Sequence, residues 1–166
     1  MKLILSILFC VALSVGFTPD DAKRLPNITI SDLQGKPISI IDAVGTGKVT
    51  VLSFWATWCS PCKRELDAIN EMYAGWTDTY DMQLIAISID NSRMLPQVKP
   101  LVEEKGWEFR VLMDSKQELQ HALEFQAIPQ TFVIDKEGNI IFQHEGYNPG
   151  DEFELEKVIK EASGKL

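Results

Sequence analysis

Past about residue 22 the chain alternates short β-like runs with stretches of helical spacing. Asn27 to Ile30 and Lys36 to Ile41 flank Asp32-Leu33-Gln34-Gly35, a turn-forming tetrapeptide, and predict a β-hairpin. Val49 to Phe54 has strand length and reads as a strand covered on both faces, and Gln83 to Ile89 reads the same way. Between them Leu66, Ile69 and Tyr73 recur at helical spacing and predict a helix from about Cys59 to Ala74. Met94 to Lys105 reads as a helix, although Pro96 and Pro100 interrupt it. Phe109 to Met113 predicts another strand and Gln117 to Phe125 another helix. Thr131 to Asp135 and Asn139 to His144 predict a second hairpin around Lys136-Glu137-Gly138. Asp151 with Glu154 three residues on reads as a capping box for a last helix ending near Ala162, before Gly164. Such alternation predicts an α/β layer fold with a mixed central sheet flanked by helices, in one domain over residues 18–166.

Residues 1–17 break the pattern. Met1-Lys2 leads into Leu3 to Phe17, which carries no charge. A positive start and a short apolar run have the form of an export signal, and Ser14-Val15-Gly16 offers small residues for cleavage after Gly16. The run falls short of the ~20 apolar residues of a spanning helix. A short membrane anchor through residues 3–17 and a buried core helix are the competing readings. The expectation is an exported protein, periplasmic or otherwise extracytoplasmic, free or held at the membrane.

Composition changes this picture little. Hydrophobic residues make up 45% and charged residues 24%, as in an ordinary globular domain. The formal net charge of −8 repels phosphate backbones, and no basic patch offsets it, so no nucleic-acid partner is expected. The three cysteines, Cys10, Cys59 and Cys62, cannot make a disulfide framework. Removal of the first segment would take Cys10 with it and leave one pair.

That pair carries the chemistry. Trp58-Cys59-Ser60-Pro61-Cys62 follows a buried strand and opens a helix. Residues i and i+3 of a first helical turn lie on one face about 5–6 Å apart, within the span of a disulfide. The pair can therefore open and close without large backbone motion. A cysteine at a helix N-terminus meets free N–H groups and the positive end of the dipole, which favour the reactive thiolate. Pro61 is tolerated in the first turn, where its missing N–H has no helical partner. Cys59 is thus the expected attacking sulfur and Cys62 the resolving one in thiol–disulfide exchange. A structural zinc site would need about four ligands, and His121 and His144 lack metal spacing, so no metal is expected. A purely structural disulfide would constrain so short a loop very little.

The stretch Phe54-Trp55-Ala56-Thr57-Trp58-Cys59-Ser60-Pro61-Cys62 resembles the active site of the thioredoxin superfamily. Lys63-Arg64-Glu65 after it resembles the TlpA/ResA-like extracytoplasmic branch, and Leu33-Gln34-Gly35-Lys36 resembles that branch's N-terminal hairpin. Ile128-Pro129-Gln130-Thr131-Phe132-Val133-Ile134-Asp135 is similar to the superfamily's cis-proline loop and following strand. Together these cover about residues 25 to 160. The resemblance implies a thioredoxin fold with an N-terminal β-hairpin and an inserted αβ unit between the CxxC helix and the cis-Pro loop. A peroxiredoxin would carry Thr three residues before its reactive cysteine; Ala56 stands there.

By resemblance, Pro129 is cis and packs against the cysteine pair, while the backbone of Ile128 pairs with an incoming peptide. Trp58 forms an exposed rim, and with Ser60 and Pro61 it joins the substrate-binding surface. Trp55 packs beneath the loop. Ser53 stands where thioredoxins carry a buried Asp, so any proton-handling role there is absent, water-mediated or moved to Glu65. Glu65 is then either a proton shuttle to Cys62 or a solvated carboxylate of an early helical turn. Trp76 and Trp107 read as packing, and Lys63 and Arg64 as solvated helix residues. The implied activity is thiol–disulfide oxidoreductase, with a disulfide-containing protein substrate of the cytochrome c maturation type and a membrane electron donor. No cofactor is expected beyond the Cys59–Cys62 disulfide. An oxidant or isomerase, and a non-catalytic binding module of the same fold, are the alternatives.

Overall fold

The computed structural model describes residues 23–165. The expected export segment lies outside them. Seven strands form one mixed sheet: β1 (Thr29–Asp32), β2 (Pro37–Ser39), β3 (Val49–Trp55), β4 (Met82–Ser88), β5 (Arg110–Met113), β6 (Gln130–Ile134) and β7 (Ile140–Glu145), in the order β2-β1-β5-β4-β3-β6-β7. β3, β4 and β5 are parallel, and the remaining pairings are antiparallel. The helices are α1 (Ile40–Val44), α2 (Ser60–Thr79), α3 (Val98–Lys105), α4 (Glu118–Leu123) and α5 (Asp151–Ser163). The thioredoxin-like α/β architecture, with an N-terminal hairpin and an extra αβ unit ahead of Pro129, is the one expected.

The central strand β3 is buried at all seven positions, as a strand covered on both faces must be. Its alternation sends Leu52 and Phe54 to one face and Ser53 and Trp55 to the other. On the first face Phe54 meets Phe125 and Phe132 edge-on, at 4.7 and 5.9 Å between ring centroids. On the second, α2 and α5 pack together over β3, and Trp55 meets Trp107 edge-on at 5.0 Å. Trp76 is buried, as expected, and the Trp107 indole N–H donates to Asp67 at 2.9 Å.

Four local features differ from the sequence expectation. Ile40 and Ile41 leave the β2 strand and open α1, because that turn buries Ile40, Ala43 and Val44 together. α2 runs through Gly75 to Thr79, since the next residue, Trp76, anchors its last turn in the core. The single helix expected over Met94 to Lys105 is instead a 3-10 turn at Leu95–Gln97 followed by α3. Pro100 then falls in the first turn of α3, where a missing N–H costs no helical bond. The capping box on α5 does not form. Gly150 is the N-cap with φ 110°, and Asp151, one residue inside the helix, accepts the Asn148 N–H at 2.7 Å. Glu152 accepts the Gly150 N–H in place of Glu154.

The described chain enters beside β7. Arg24 bridges to Asn139, and the Ile140 N–H donates to the Lys23 carbonyl at 2.9 Å.

Candidate active site

The site begins where β3 ends. Ala56 and Thr57 turn the chain, and the turn is held by Asp90, which follows the end of the neighbouring strand β4. The fully buried Asp90 carboxylate accepts the Thr57 N–H, the Thr57 hydroxyl and the Ser88 hydroxyl, each at 2.8 Å. Lys63 reaches back to donate to the Thr57 carbonyl at 2.9 Å, and Arg64 donates to Ser60 Oγ at 3.2 Å. Lys63 therefore ties down the loop rather than lying free in solvent.

Cys59 is the N-cap of the 20-residue helix α2, and the Cys62 N–H points at its sulfur, 3.3 Å away. Cys59 and Cys62 are joined in a disulfide with their Cα atoms 5.4 Å apart, the spacing expected of a first-turn pair. Ser60 and Pro61 occupy the first two helical positions; Ser60 is exposed and Pro61 half-buried. Trp58 is 62% exposed beside them, while Cys62 is sealed and Cys59 nearly so.

Across the pair lies the loop into β6. The Ile128–Pro129 bond is cis, and the Ile128 carbonyl oxygen is 3.8 Å from Cys59 Sγ. Pro129 is buried, and its carbonyl accepts the Gly146 N–H at 2.8 Å. The structure thus brings Trp58, Cys59, Ser60, Pro61, Cys62, Ile128 and Pro129 to one end of the sheet.

Glu65 lies beneath this surface, one turn after Cys62. It is only 5% exposed, so it is not the solvated carboxylate of the alternative reading. Ser53 donates to its Oε2 at 3.0 Å and Thr131 to its Oε1 at 2.7 Å. Burial pushes its pKa up from 4.5 to about 7. The bonds from Thr131 and Ser53 and the nearby His144 oppose that rise, and Asp151 adds to it. A buried carboxyl that changes protonation near neutrality can take a proton from a neighbouring thiol and return it.

Asp90, Thr131 and His144 were not singled out from sequence as site residues. Thr131 sits two residues past Pro129 in the quoted motif, and Asp90 stands at the end of a buried strand beside the site. Both placements were signals. Among the described residues there is no group of three or more His, Cys, Asp or Glu that could hold a metal ion.

The family model described as the AhpC/TSA family matches residues 22–143. The chain belongs to the AhpC/TSA family. Among curated relatives, this AhpC/TSA chain is 33% identical to the thiol-disulfide oxidoreductase ResA of Bacillus thuringiensis (strain Al Hakam), over 82% of this chain and 77% of the relative. A thioredoxin-like protein from Porphyromonas gingivalis is 40% identical, with a TM-score of 0.75 over 85% of this chain and 92% of that one. A putative thiol:disulfide interchange protein DsbE from Chlorobium tepidum is 28% identical, with a TM-score of 0.75 over 87% of this chain and 99% of that one. The expectation of a thioredoxin-fold, ResA-like thiol–disulfide oxidoreductase is borne out.

Proposed function

We propose that the protein works outside the cytoplasm as a dithiol reductant of specific partner proteins. The observation that carries the reading is the asymmetry of the pair. Cys59 caps a long helix beside the Ile128 carbonyl, at a surface rimmed by Trp58, whereas Cys62 is sealed one turn from a carboxyl poised near neutrality.

In the reduced protein the Cys59 thiolate attacks one sulfur of the substrate disulfide. The substrate S–S bond breaks, one substrate thiolate leaves, and a mixed disulfide forms. Cys62 passes its proton to Glu65, and the Cys62 thiolate attacks Cys59 Sγ. The second substrate thiolate departs. Two electrons have moved to the substrate, and the protein holds the Cys59–Cys62 disulfide seen here. Ile128 and Pro129 border the groove for the substrate chain, and Trp58, Ser60 and Pro61 form its exposed wall. The cysteine pair is the only redox group this chemistry calls for.

Export is supported by the apolar run Leu3 to Phe17. No helix among the described residues is long and apolar enough to cross a membrane. In an oxidising compartment a reductant must be recharged, and a membrane electron donor fills that role. The names of the ResA and DsbE relatives support disulfide-containing protein substrates, and cytochrome c maturation is the proposed setting. The test is capture by Cys62→Ser, which stalls the reaction at the mixed disulfide. A covalent adduct with an apocytochrome or its maturation factors is the expected result. A reduction potential well above that of glutathione would replace the reductant reading with that of an oxidant, and normal partner function of Cys59→Ala would replace it with a binding module.

A further inference from the structure

One polar row crosses the sheet beneath the cysteine pair. Ser53 of β3 pairs with Thr131 of β6, and Thr131 pairs with His144 of β7. With strands about 4.8 Å apart, the row runs ~10 Å from below the active site to the outermost strand. Glu65 is bonded to its first two members. The third, His144, is half-buried, stacks on Phe142 and places Nε2 3.2 Å from Asp151 Oδ2.

Between Glu65 and this pair lies a narrow cavity lined by Glu65, Thr131, Phe142, His144, Tyr147 and Asp151. Its room for the centre of a water molecule is about 10 Å³. That is close to the least a single water occupies; Ile69, Phe142 and Leu155 make most of the wall apolar, and the side chains of Glu65, His144, Tyr147 and Asp151 are the partners such a water would have. We propose that His144 and Asp151 form the proton exit of the active site, exchanging protons between Glu65 and solvent through this cavity. The inference rests on the reading of Glu65 as the base for Cys62.

When Cys62 is deprotonated its S–H electron pair stays on sulfur and the proton goes to a Glu65 oxygen. With only 5% of its surface exposed the carboxyl meets little bulk water, and a proton that stays on it can return to sulfur before Cys62 reaches Cys59 Sγ. The cavity water carries the proton to the imidazole, which Asp151 orients, and His144 releases it at the sheet edge. Histidine suits the step because its two ring nitrogens let one take up a proton while the other releases one. The other ionisable groups around the imidazole are Glu152 and Glu154, which line the same cavity from α5, and the Tyr147 hydroxyl, which donates to Glu152 Oε2 at 3.0 Å. His144 and Asp151 touch no substrate. They act through Glu65, whose titration His144 lowers and Asp151 raises.

The test is single-turnover reaction of the reduced, intact chain with oxidised glutathione from pH 5 to 9, at several imidazole concentrations. Wild type, His144→Gln, Glu65→Gln and the double variant are compared. In His144→Gln the limb due to Glu65 should move up by about half a pH unit, roughly threefold in rate on that limb. Its rate should also come to depend on added imidazole, whereas that of the wild type does not. The double variant should match Glu65→Gln alone. Asp151→Asn is a second route to the same imidazole dependence. A His144→Gln profile that superimposes on the wild type, or a shift that persists in the Glu65→Gln background, overturns the proposal. So do imidazole-independent rates in both single variants of the pair. If Glu65→Gln itself keeps the wild-type profile, the role of Glu65 fails, and the exit fails with it.

Discussion

The buried carboxyl of Glu65 should leave a thermodynamic trace that can be read without any substrate. Its pKa stands near 7 in the folded protein against an ordinary 4.5, with burial the main cause. Between those two pH values the folded state holds a proton that the unfolded state has released. Stability contributed by this group is therefore full below about pH 4.5 and declines as pH rises through about 7. At 1.36 kcal/mol per pH unit, the whole effect is about 3 kcal/mol. Glu65→Gln removes the titration, yet its amide can still meet the Ser53 and Thr131 hydroxyls. The assay is guanidinium unfolding of the oxidised wild type and variant at intervals from pH 4 to 8.5. All other titrating groups are common to both proteins, so the difference isolates Glu65. The variant should gain about 3 kcal/mol on the wild type between pH 4 and 8. A stability difference that stays flat across that range would refute the argument that burial governs this carboxyl.

Three further outcomes follow from the same geometry. Thr131→Val removes the 2.7 Å bond to Glu65, so the Glu65 carboxyl should titrate above its wild-type midpoint in a carboxyl-carbon NMR titration; Ser53→Ala should move it the same way by less. Asp90→Ala strands the Thr57 N–H and two hydroxyls without their acceptor, and should cost roughly 2–3 kcal/mol in denaturant unfolding while loosening the turn before Cys59. Trp58→Ala removes an exposed ring, so unfolding should change by no more than about 0.5 kcal/mol, while turnover of protein disulfides should fall further than that of oxidised glutathione.

The layers of the fold were legible because their signals are local. Buried strands such as Gln83 to Ile89 show as apolar runs, and the reactive turn shows as two cysteines at a helix start. The misreadings came where a tertiary contact outweighed a local one. The spacing of Leu66, Ile69 and Tyr73 carries α2 only to about Ala74, but the Trp76 ring is held in the core and the helix continues. Asp151 and Glu154 have capping spacing, but Asp151 is drawn to Asn148 and His144. The environment of Glu65 was not legible. Its position after Cys62 could be read, but its two donors lie 12 and 66 residues away and meet it only through the registers of β3 with β6. His144 was hidden for the same reason, since its place in the polar row depends on the pairing of β6 with β7.

The entry of the chain beside Asn139 has a consequence for how the domain can be held. Ile140 and Glu145 are the two ends of β7, and the five steps between them span about 17 Å. Lys23 is bonded at the first end, whereas Gly146, just past the second, is bonded to Pro129 beside the reactive sulfurs. A tether attached ahead of Lys23 therefore grips the pole of the domain opposite the dithiol. Held by its amino-terminal side to any surface, the domain would keep its reactive face turned outward, open to other chains without letting go.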